Sequence, residues 1–356
     1  MHHGKYGTKT MKVLVTGHKG YIGSTLVPML LKEGHQVTGL DSDLYRKCTV
    51  FPGMGKINEI EKDIRHVEPQ DVRGFDAIIH LAGLSNDPLG FLNEEITYDI
   101  NYRASVRLAK MAKDNGVTKF FFASSCSVYG ASDSTFLTED SPYNPVTPYG
   151  WSKLKSEKEI SELADYDHFN PVFLRASTVY GTAPRIRFDL VLNNLVAWAR
   201  ITGKILLKSD GKPWRPLVHV EDVAHAYVAL LNSEKEKIHN QAFNIGLTTE
   251  NFQVIDLGSL IEEIGPDYEL QWSEKSSPDS RCYRVDCNKI AREIKSFKPQ
   301  WTVRKGIHQL IKDYSNVNIE LTEVEGPKYC RVEHIKMLIQ EGKLDDQLMW
   351  KQIRAI

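Results

Sequence analysis

The stretch Val13-Leu14-Val15-Thr16-Gly17-His18-Lys19-Gly20-Tyr21-Ile22-Gly23 constrains this chain more than any other. Its apolar, β-branched opening reads as a buried parallel strand, and apolar residues then recur at helical spacing through Leu31. A strand that enters a helix through glycines offers free backbone N–H groups and the positive end of the helix dipole, a site for a pyrophosphate. Gly17 serves the tight turn, Gly20 the approach of backbone to phosphate, and Gly23 the packing of helix on sheet. Tyr21 and Ile22, between the last two glycines, are assigned to the same site.

Strand and helix signals alternate through the first half of the chain. Strands are expected at Lys12–Thr16, Gln36–Asp41, Ala77–Leu81, Lys119–Ser124, Val172–Ala176 and Ala242–Ile245, and helices at Tyr21–Glu33, Glu94–Asn115 and Tyr149–Ala164. Such alternation implies an α/β protein, a doubly wound (Rossmann) parallel sheet with helices on both faces. After Gly181 the pattern loosens into an expected helix Asp189–Thr202, a strand Ile205–Lys208 and a helix Val220–Leu231. Residues 249–313 are mixed and proline-spaced, which suits a smaller mixed α/β substrate domain at the carboxyl edge of the sheet.

With 356 residues the chain can bury one large core and a satellite. Its 45 basic and 46 acidic residues leave no electrostatic footprint for nucleic acid or an anionic membrane. No apolar run reaches bilayer length, and no signal-peptide pattern precedes the first strand. Cys48, Cys126, Cys282, Cys287 and Cys330 are odd in number and lack metal-site spacing, so reduced thiols, no metal and a cytoplasmic protein are expected. Met1 to Thr10, with His2 and His3, reads as a flexible polar leader.

Asp41 closes the second strand about 20 residues past the glycine motif, where a carboxylate accepts from both adenosine ribose hydroxyls and repels a 2′-phosphate. That favours NAD over NADP as the expected cofactor, with Asp43 a rival for the role and a plain turn residue the bland alternative. Asp63 and Ile64, after the region of a third strand, are candidates for contact with adenine. Leu81, Ala82 and Gly83 let the backbone pass close to the cofactor, whereas His80 reads as a satisfied core histidine.

Tyr149-Gly150-Trp151-Ser152-Lys153 puts a phenol and an ammonium on one helical face. A nearby cation favours phenolate and lowers the phenol pKa from about 10 toward working pH. A phenolate so tuned takes a proton from a substrate hydroxyl while hydride leaves the same carbon. The alternative is an amphipathic helix with one solvated lysine. Upstream, Phe121-Phe122-Ala123-Ser124-Ser125-Cys126-Ser127-Val128-Tyr129-Gly130 delivers three hydroxyls to the same edge, one of which can bond the developing carbonyl oxygen.

Together with Arg175-x-x-x-Val179-Tyr180-Gly181 and Arg215-x-x-x-His219-Val220-x-Asp222, these motifs resemble the extended short-chain dehydrogenase/reductases that act on nucleotide-activated sugars. The resemblance runs to about Asp313. It implies Ser125 as the catalytic hydroxyl, with Ser124 and Ser127 its neighbours in contention. Tyr149 is then the base, and Lys153 serves both the cofactor ribose and the phenol. It further implies an NAD-binding domain over 11–177 and 216–247, a nucleotide-sugar-binding domain over 178–215 and 248–314, and a helical C-terminal extension over 315–356 to which no chemistry is assigned. A homodimer through the Glu94–Asn115 and Tyr149–Ala164 helices is expected, with Trp151 and Tyr102 contributing surface.

Family dehydratases resemble one another in placing acidic residues after the catalytic hydroxyl; here Cys126-Ser127 stands instead, closer to the serine-rich run of the sugar 4-epimerases. An NAD-dependent nucleotide-sugar epimerase is thus expected, ahead of a 4-dehydrogenase or ketoreductase and then a 4,6-dehydratase. Cys126 reads as a small packing residue, with an acid/base role the alternative. For the sugar diphosphate, Arg215 matches the family's arginine and Arg281 is the second candidate, with Arg284 its rival. Thr178 stands where many relatives carry Asn. Ser85 and Asn86, in the loop after the fourth strand, and less specifically Asn193 and Asn194, are further substrate candidates.

Overall fold

The protein was analysed as a computed structural model describing residues 10–53, 55–132, 136–273 and 281–351. The expected polar leader and Pro278-Asp279-Ser280 lie outside these residues, apart from Thr10.

The strands are β1 (Lys12–Thr16), β2 (Gln36–Asp41), β3 (Asn58–Glu61), β4 (Ala77–His80), β5 (Lys119–Ser125), β6 (Asn170–Ala176), β7 (Thr178–Tyr180), β8 (Lys204–Leu207), β9 (Trp214–His219), β10 (Gln241–Ile245), β11 (Asn251–Gln253) and β12 (Glu269–Trp272). Seven of them form one sheet in the order β10-β6-β5-β4-β1-β2-β3. Every pairing in it is parallel. β1, β4 and β6 are almost wholly buried, as strands covered on both faces must be. One face packs the Gly23–Lys32 and Val220–Leu231 helices through Leu26, Leu30, Val223 and Leu230. The other packs Ile96, Ile100, Leu108 and Ile160, together with Ile335, Leu338, Leu344 and Leu348 from the end of the chain.

A second lobe holds the antiparallel and parallel pairings of β11-β9-β7 and the two-stranded β12-β8 sheet. β9 straddles the expected boundary at 215/216 and pairs in this small sheet, not in the large one. The lobe's own core gathers Phe188, Leu192, Leu207, Leu257 and Ile307.

Two expectations need correction. The Glu94–Asn115 helix is three segments: Glu94–Tyr98, a π-helical turn over Asp99–Arg103, and Ala104–Asp114. The first helix begins at Gly23, not Tyr21, because the glycine turn extends through Ile22. Among the described residues no helix is long and apolar enough to cross a membrane.

Candidate active site

The order of strands reverses between β1 and β4, so their carboxyl ends diverge into a crevice, the usual ligand position in an open α/β sheet. One cleft lies there, and the first-choice residues nominated above for catalysis, cofactor and substrate line it, from Gly17 to Arg281, whereas Asp43, Cys126, Asn193, Asn194 and Arg284 do not.

The glycine turn is tight for identifiable reasons. Gly17 has φ +74°, and a Cβ on it would stand 2.6 Å from the Ala82 nitrogen. A Cβ on Gly23 would lie 2.4 Å from the Gly17 carbonyl oxygen, so this glycine closes the turn on itself more than it seats helix on sheet. The helix that follows has no side-chain cap; Ser24 N–H turns back to the Gly20 carbonyl (2.9 Å) and Thr25 N–H to that of Ile22 (3.1 Å), while the backbone of Gly20 to Gly23 lines the cleft. Beside it, Asp41 accepts from the backbone N–H of Lys19 (3.0 Å) and of Asp43 (2.8 Å). The Asp43 side chain pairs with Arg185 and Lys19 and does not line the cleft, which separates the two rivals. The Asp63 carboxylate is engaged by Arg65, through backbone N–H (2.8 Å) and guanidinium (2.9 Å). These features fit a dinucleotide: an uncapped helix end for the diphosphate, a carboxylate at the end of β2 for the ribose, and a backbone crossing close under Ala82.

At the other end of the cleft, Thr147 caps the Pro148–Glu162 helix by accepting from Gly150 N–H at 3.1 Å, fixing Tyr149 in the first turn. Lys153 follows one turn later, its Nζ 4.8 Å from the Phe122 ring centre and 5.7 Å from that of Tyr149. Burial pushes the Tyr149 phenol up to about 12, against the opposing pull of its Ser125 hydrogen-bond partner. Burial also pulls the Lys153 ammonium down to about 8, against the pull of Glu157. The expectation that a nearby cation lowers the phenol toward working pH is therefore corrected for the protein by itself, where burial outweighs it.

The hydroxyls separate by their partners. Ser124 is buried and bonds Glu157, which also accepts from Arg175 Nε (3.0 Å) and Nη2 (2.7 Å). Ser125 bonds its neighbour Ser127, at 3.1 Å, and the Tyr149 phenol, and no buried carboxylate ties it back. Cys126 turns away from the cleft, its thiol donating to the Arg175 carbonyl at 3.2 Å amid Val128, Leu154 and Tyr283. His80 is buried between Thr16 (2.6 Å) and Ser105 (2.8 Å) and pulled down to about 3, a core histidine as read from the sequence.

On the second lobe's side, Arg215 donates to the Arg281 carbonyl oxygen, and Arg281 pairs with Asp87. The two guanidinium-bearing residues thus converge on one wall, while Arg284 lies over the Phe136 and Trp214 rings, outside the cleft lining. Ser85 and Asn86 are spoken for: Arg187 Nη1 donates to Ser85 at 3.0 Å, and Asn86 Nδ2 donates to Asp189 at 2.6 Å. Thr178 lines the cleft. Asn193 and Asn194 do not: Asn193 holds Gly181 N–H (3.0 Å) and the Tyr21 hydroxyl (3.2 Å), and Asn194 bonds Glu325 (2.9 Å).

Sequence reasoning missed several participants. Asn101, in the π turn, accepts from Leu84 N–H at 2.7 Å and donates to Leu84 C=O at 2.9 Å, pinning the 83–86 loop beside Lys153. A polar Asn inside a predicted helix was the available signal. Tyr45, Arg185 and Arg187 line the cleft as well, and so does Arg331, from the extension to which no chemistry had been assigned.

The chain is 27% identical to UDP-glucose 4-epimerase GEPI42 of Cyamopsis tetragonoloba, over 85% of this chain and 92% of that one. It is 26% identical to UDP-glucose 4-epimerase of Bacillus subtilis, over 86% and 98%. Among solved structures it resembles MoeE5 in complex with UDP-glucuronic acid and NAD, with TM-score 0.75, 27% identity, and coverage of 86% of this chain and 99% of that one. The UDP-glucuronic acid 4-epimerase from Bacillus cereus, in complex with UDP-glucuronic acid and NAD, matches with TM-score 0.73 at 25% identity, over 86% and 99%. A sequence profile of the NAD dependent epimerase/dehydratase family matches residues 13–246, well over half of the chain, and the protein belongs to that family.

Proposed function

We propose that the protein is a nucleotide-sugar epimerase that keeps its NAD through turnover and inverts one ring carbon by transient oxidation. Bound NAD supplies a hydride acceptor that is restored within the cycle. The reading is carried by the meeting, in one cleft, of Tyr149 and Ser125 with Arg215 and Arg281: a proton acceptor beside cations suited to a diphosphate.

As phenolate, Tyr149 takes the proton of the ring hydroxyl and returns it when the ketone is reduced from its other face. Ser125 donates to the oxygen as it becomes carbonyl. Lys153 stays cationic near neutral pH and favours the phenolate, and it would also hold the cofactor ribose. Arg215 and Arg281 grip the diphosphate, Arg281 exchanging Asp87 for phosphate, so that the oxidised hexose can turn over without leaving.

Eliminating water demands a further acid and base. Cys126 is buried away from the cleft, Asp87 accepts from the Thr147 hydroxyl at 2.5 Å, and Asp189 is held by Arg187, which favours epimerisation over dehydration. The names of the relatives make UDP-hexoses and UDP-glucuronic acid the first substrates to try. A homodimer is part of the proposal: Trp151, 44% exposed, lies on one of the two helices expected at the interface.

The deciding experiment uses protein purified without added cofactor. Denaturation releases NAD for quantification, while native enzyme is incubated with UDP-sugars and followed by NMR and by NADH absorbance. Retained NAD with an isomerised sugar and no net NADH is expected. Stoichiometric NADH with a keto product would instead make it a dehydrogenase or ketoreductase.

A further inference from the structure

We infer that the C-terminal extension completes the cofactor site: Arg331, stacked on Tyr45, donates to the diphosphate of the bound dinucleotide. Arg331 opens the Arg331–Gln340 helix, beyond the residues that match the family. It is 2% exposed and lines the cleft. A buried guanidinium is ordinarily paired, because desolvating an ion without a counter-charge is costly. The neighbouring arginines conform: Arg185 pairs with Asp43, and Arg187 Nη2 with Asp189 at 2.8 Å.

Arg331 does not. Its Nη2 donates to the Arg185 carbonyl oxygen at 3.2 Å, and its guanidinium carbon lies 4.0 Å from the Tyr45 ring centre. Its Nη1 is buried with no hydrogen-bond partner among the described residues, and so is the Tyr45 hydroxyl beneath it. Burial pushes the Tyr45 phenol up to about 12 and also raises the Cys48 thiol, which touches the guanidinium as a neutral hydrogen-bond partner, so neither neighbour supplies negative charge. Asp189, the nearby carboxylate, is committed to Arg187. Two buried donors without partners thus belong to two stacked side chains that both line the cleft, and an oxyanion is the chemistry that satisfies both.

Position selects the anion. Tyr45 follows β2, whose Asp41 marks the ribose end of the dinucleotide site, and the Arg185 that holds Arg331 is itself tied to Asp43 on the same loop. Arg215 and Arg281 are built instead on β9 and against the Asp87 loop. The inference rests on NAD binding along the Gly17–Gly23 turn, and is independent of which sugar the enzyme takes.

The test compares Arg331→Met and Arg331→Lys with wild type, first for NAD retained on purification. Cofactor-stripped protein is then titrated with NAD, adenosine and UDP. Arg331→Met is expected to weaken NAD roughly 10- to 100-fold while leaving adenosine and UDP unaltered, with lysine recovering part of the loss. Unchanged NAD affinity, an equal loss for adenosine, or a loss confined to UDP overturns the inference. Should the variants not fold, hydrogen exchange on wild type decides: amides of Arg331–Gln340 slow with NAD and not with adenosine, and equal responses sink the idea. A wild type that binds no NAD refutes the dinucleotide reading itself; a wild type and an Arg331→Met protein that bind it equally refute this step alone.

Discussion

Tyr149 and Lys153 are pushed in opposite directions by one cause, removal from water: the phenol rises to about 12 and the ammonium falls to about 8. Tyr149→Phe is expected to leave NAD and UDP-sugar affinities near wild type while lowering kcat by several orders of magnitude; near-normal turnover would refute its role as base. The Lys153 ammonium of cofactor-free protein discharges near pH 8, so NAD affinity is expected to fall above that pH, and Lys153→Met should lose this alkaline limb. Asp41→Ala is expected to weaken NAD and narrow its preference over NADP, measured by titrating both. Unaltered discrimination returns the role to the loop after β2. The candidate residues were legible because their chemistry is local: glycines at a strand end, a phenol and an ammonium one turn apart. Asn101 was not, because its side chain bonds a loop remote in sequence, and only folding brings Leu84 to it.

At the scale of elements, buried strands were easy to place and exposed ones were not. β1 and β4 are continuous apolar runs, whereas β3 reads Asn-Glu-Ile-Glu, lies at the sheet edge and is mostly exposed, so no hydrophobic pattern marks it. The π turn of Asp99–Arg103 likewise keeps helical composition while shifting the helix register. Asn101→Ala leaves the Leu84 N–H and C=O without their partner and is expected to cost about 2–4 kcal/mol, read from urea denaturation, with weaker NAD retention. The Glu157–Arg175 pair, both residues buried, anchors the Pro148–Glu162 helix to β5 through Ser124 and to β6 through Arg175. Arg175→Met strands the carboxylate and is expected to cost about 3–5 kcal/mol by the same measurement.

Across the whole molecule, two tertiary arrangements matter for stability. His80 and His219 are buried neutral, pulled down to about 3 and about 4, so the unfolded chain takes up protons at these sites first. Their contribution is full above about pH 6.5 and is lost as pH falls toward 4, at up to about 1.4 kcal/mol per pH unit for each. Urea midpoints should therefore drop between pH 7 and pH 4.5, and less steeply in His219→Asn. The end of the chain is docked by Trp350, whose indole N–H donates to the Ser42 carbonyl at 2.6 Å beneath the Arg46 guanidinium, 4.2 Å from the ring centre. Trp350→Ala is expected to lower stability by roughly 1–3 kcal/mol and to speed amide exchange in the Arg331–Gln340 helix.

By itself the sequence determined the parallel sheet, the glycine turn and the phenol–lysine pair, because strand burial, turn chemistry and helical spacing act between near neighbours. Tertiary structure alone decided which of Ser124 and Ser125 is tied back by a buried carboxylate, and that Arg281 and not Arg284 reaches the cleft. It alone brought Arg331, almost three hundred residues downstream of Tyr45, onto that ring. Such choices depend on contacts between distant segments, where no local pattern records which side chain will find a partner and which will stay buried without one.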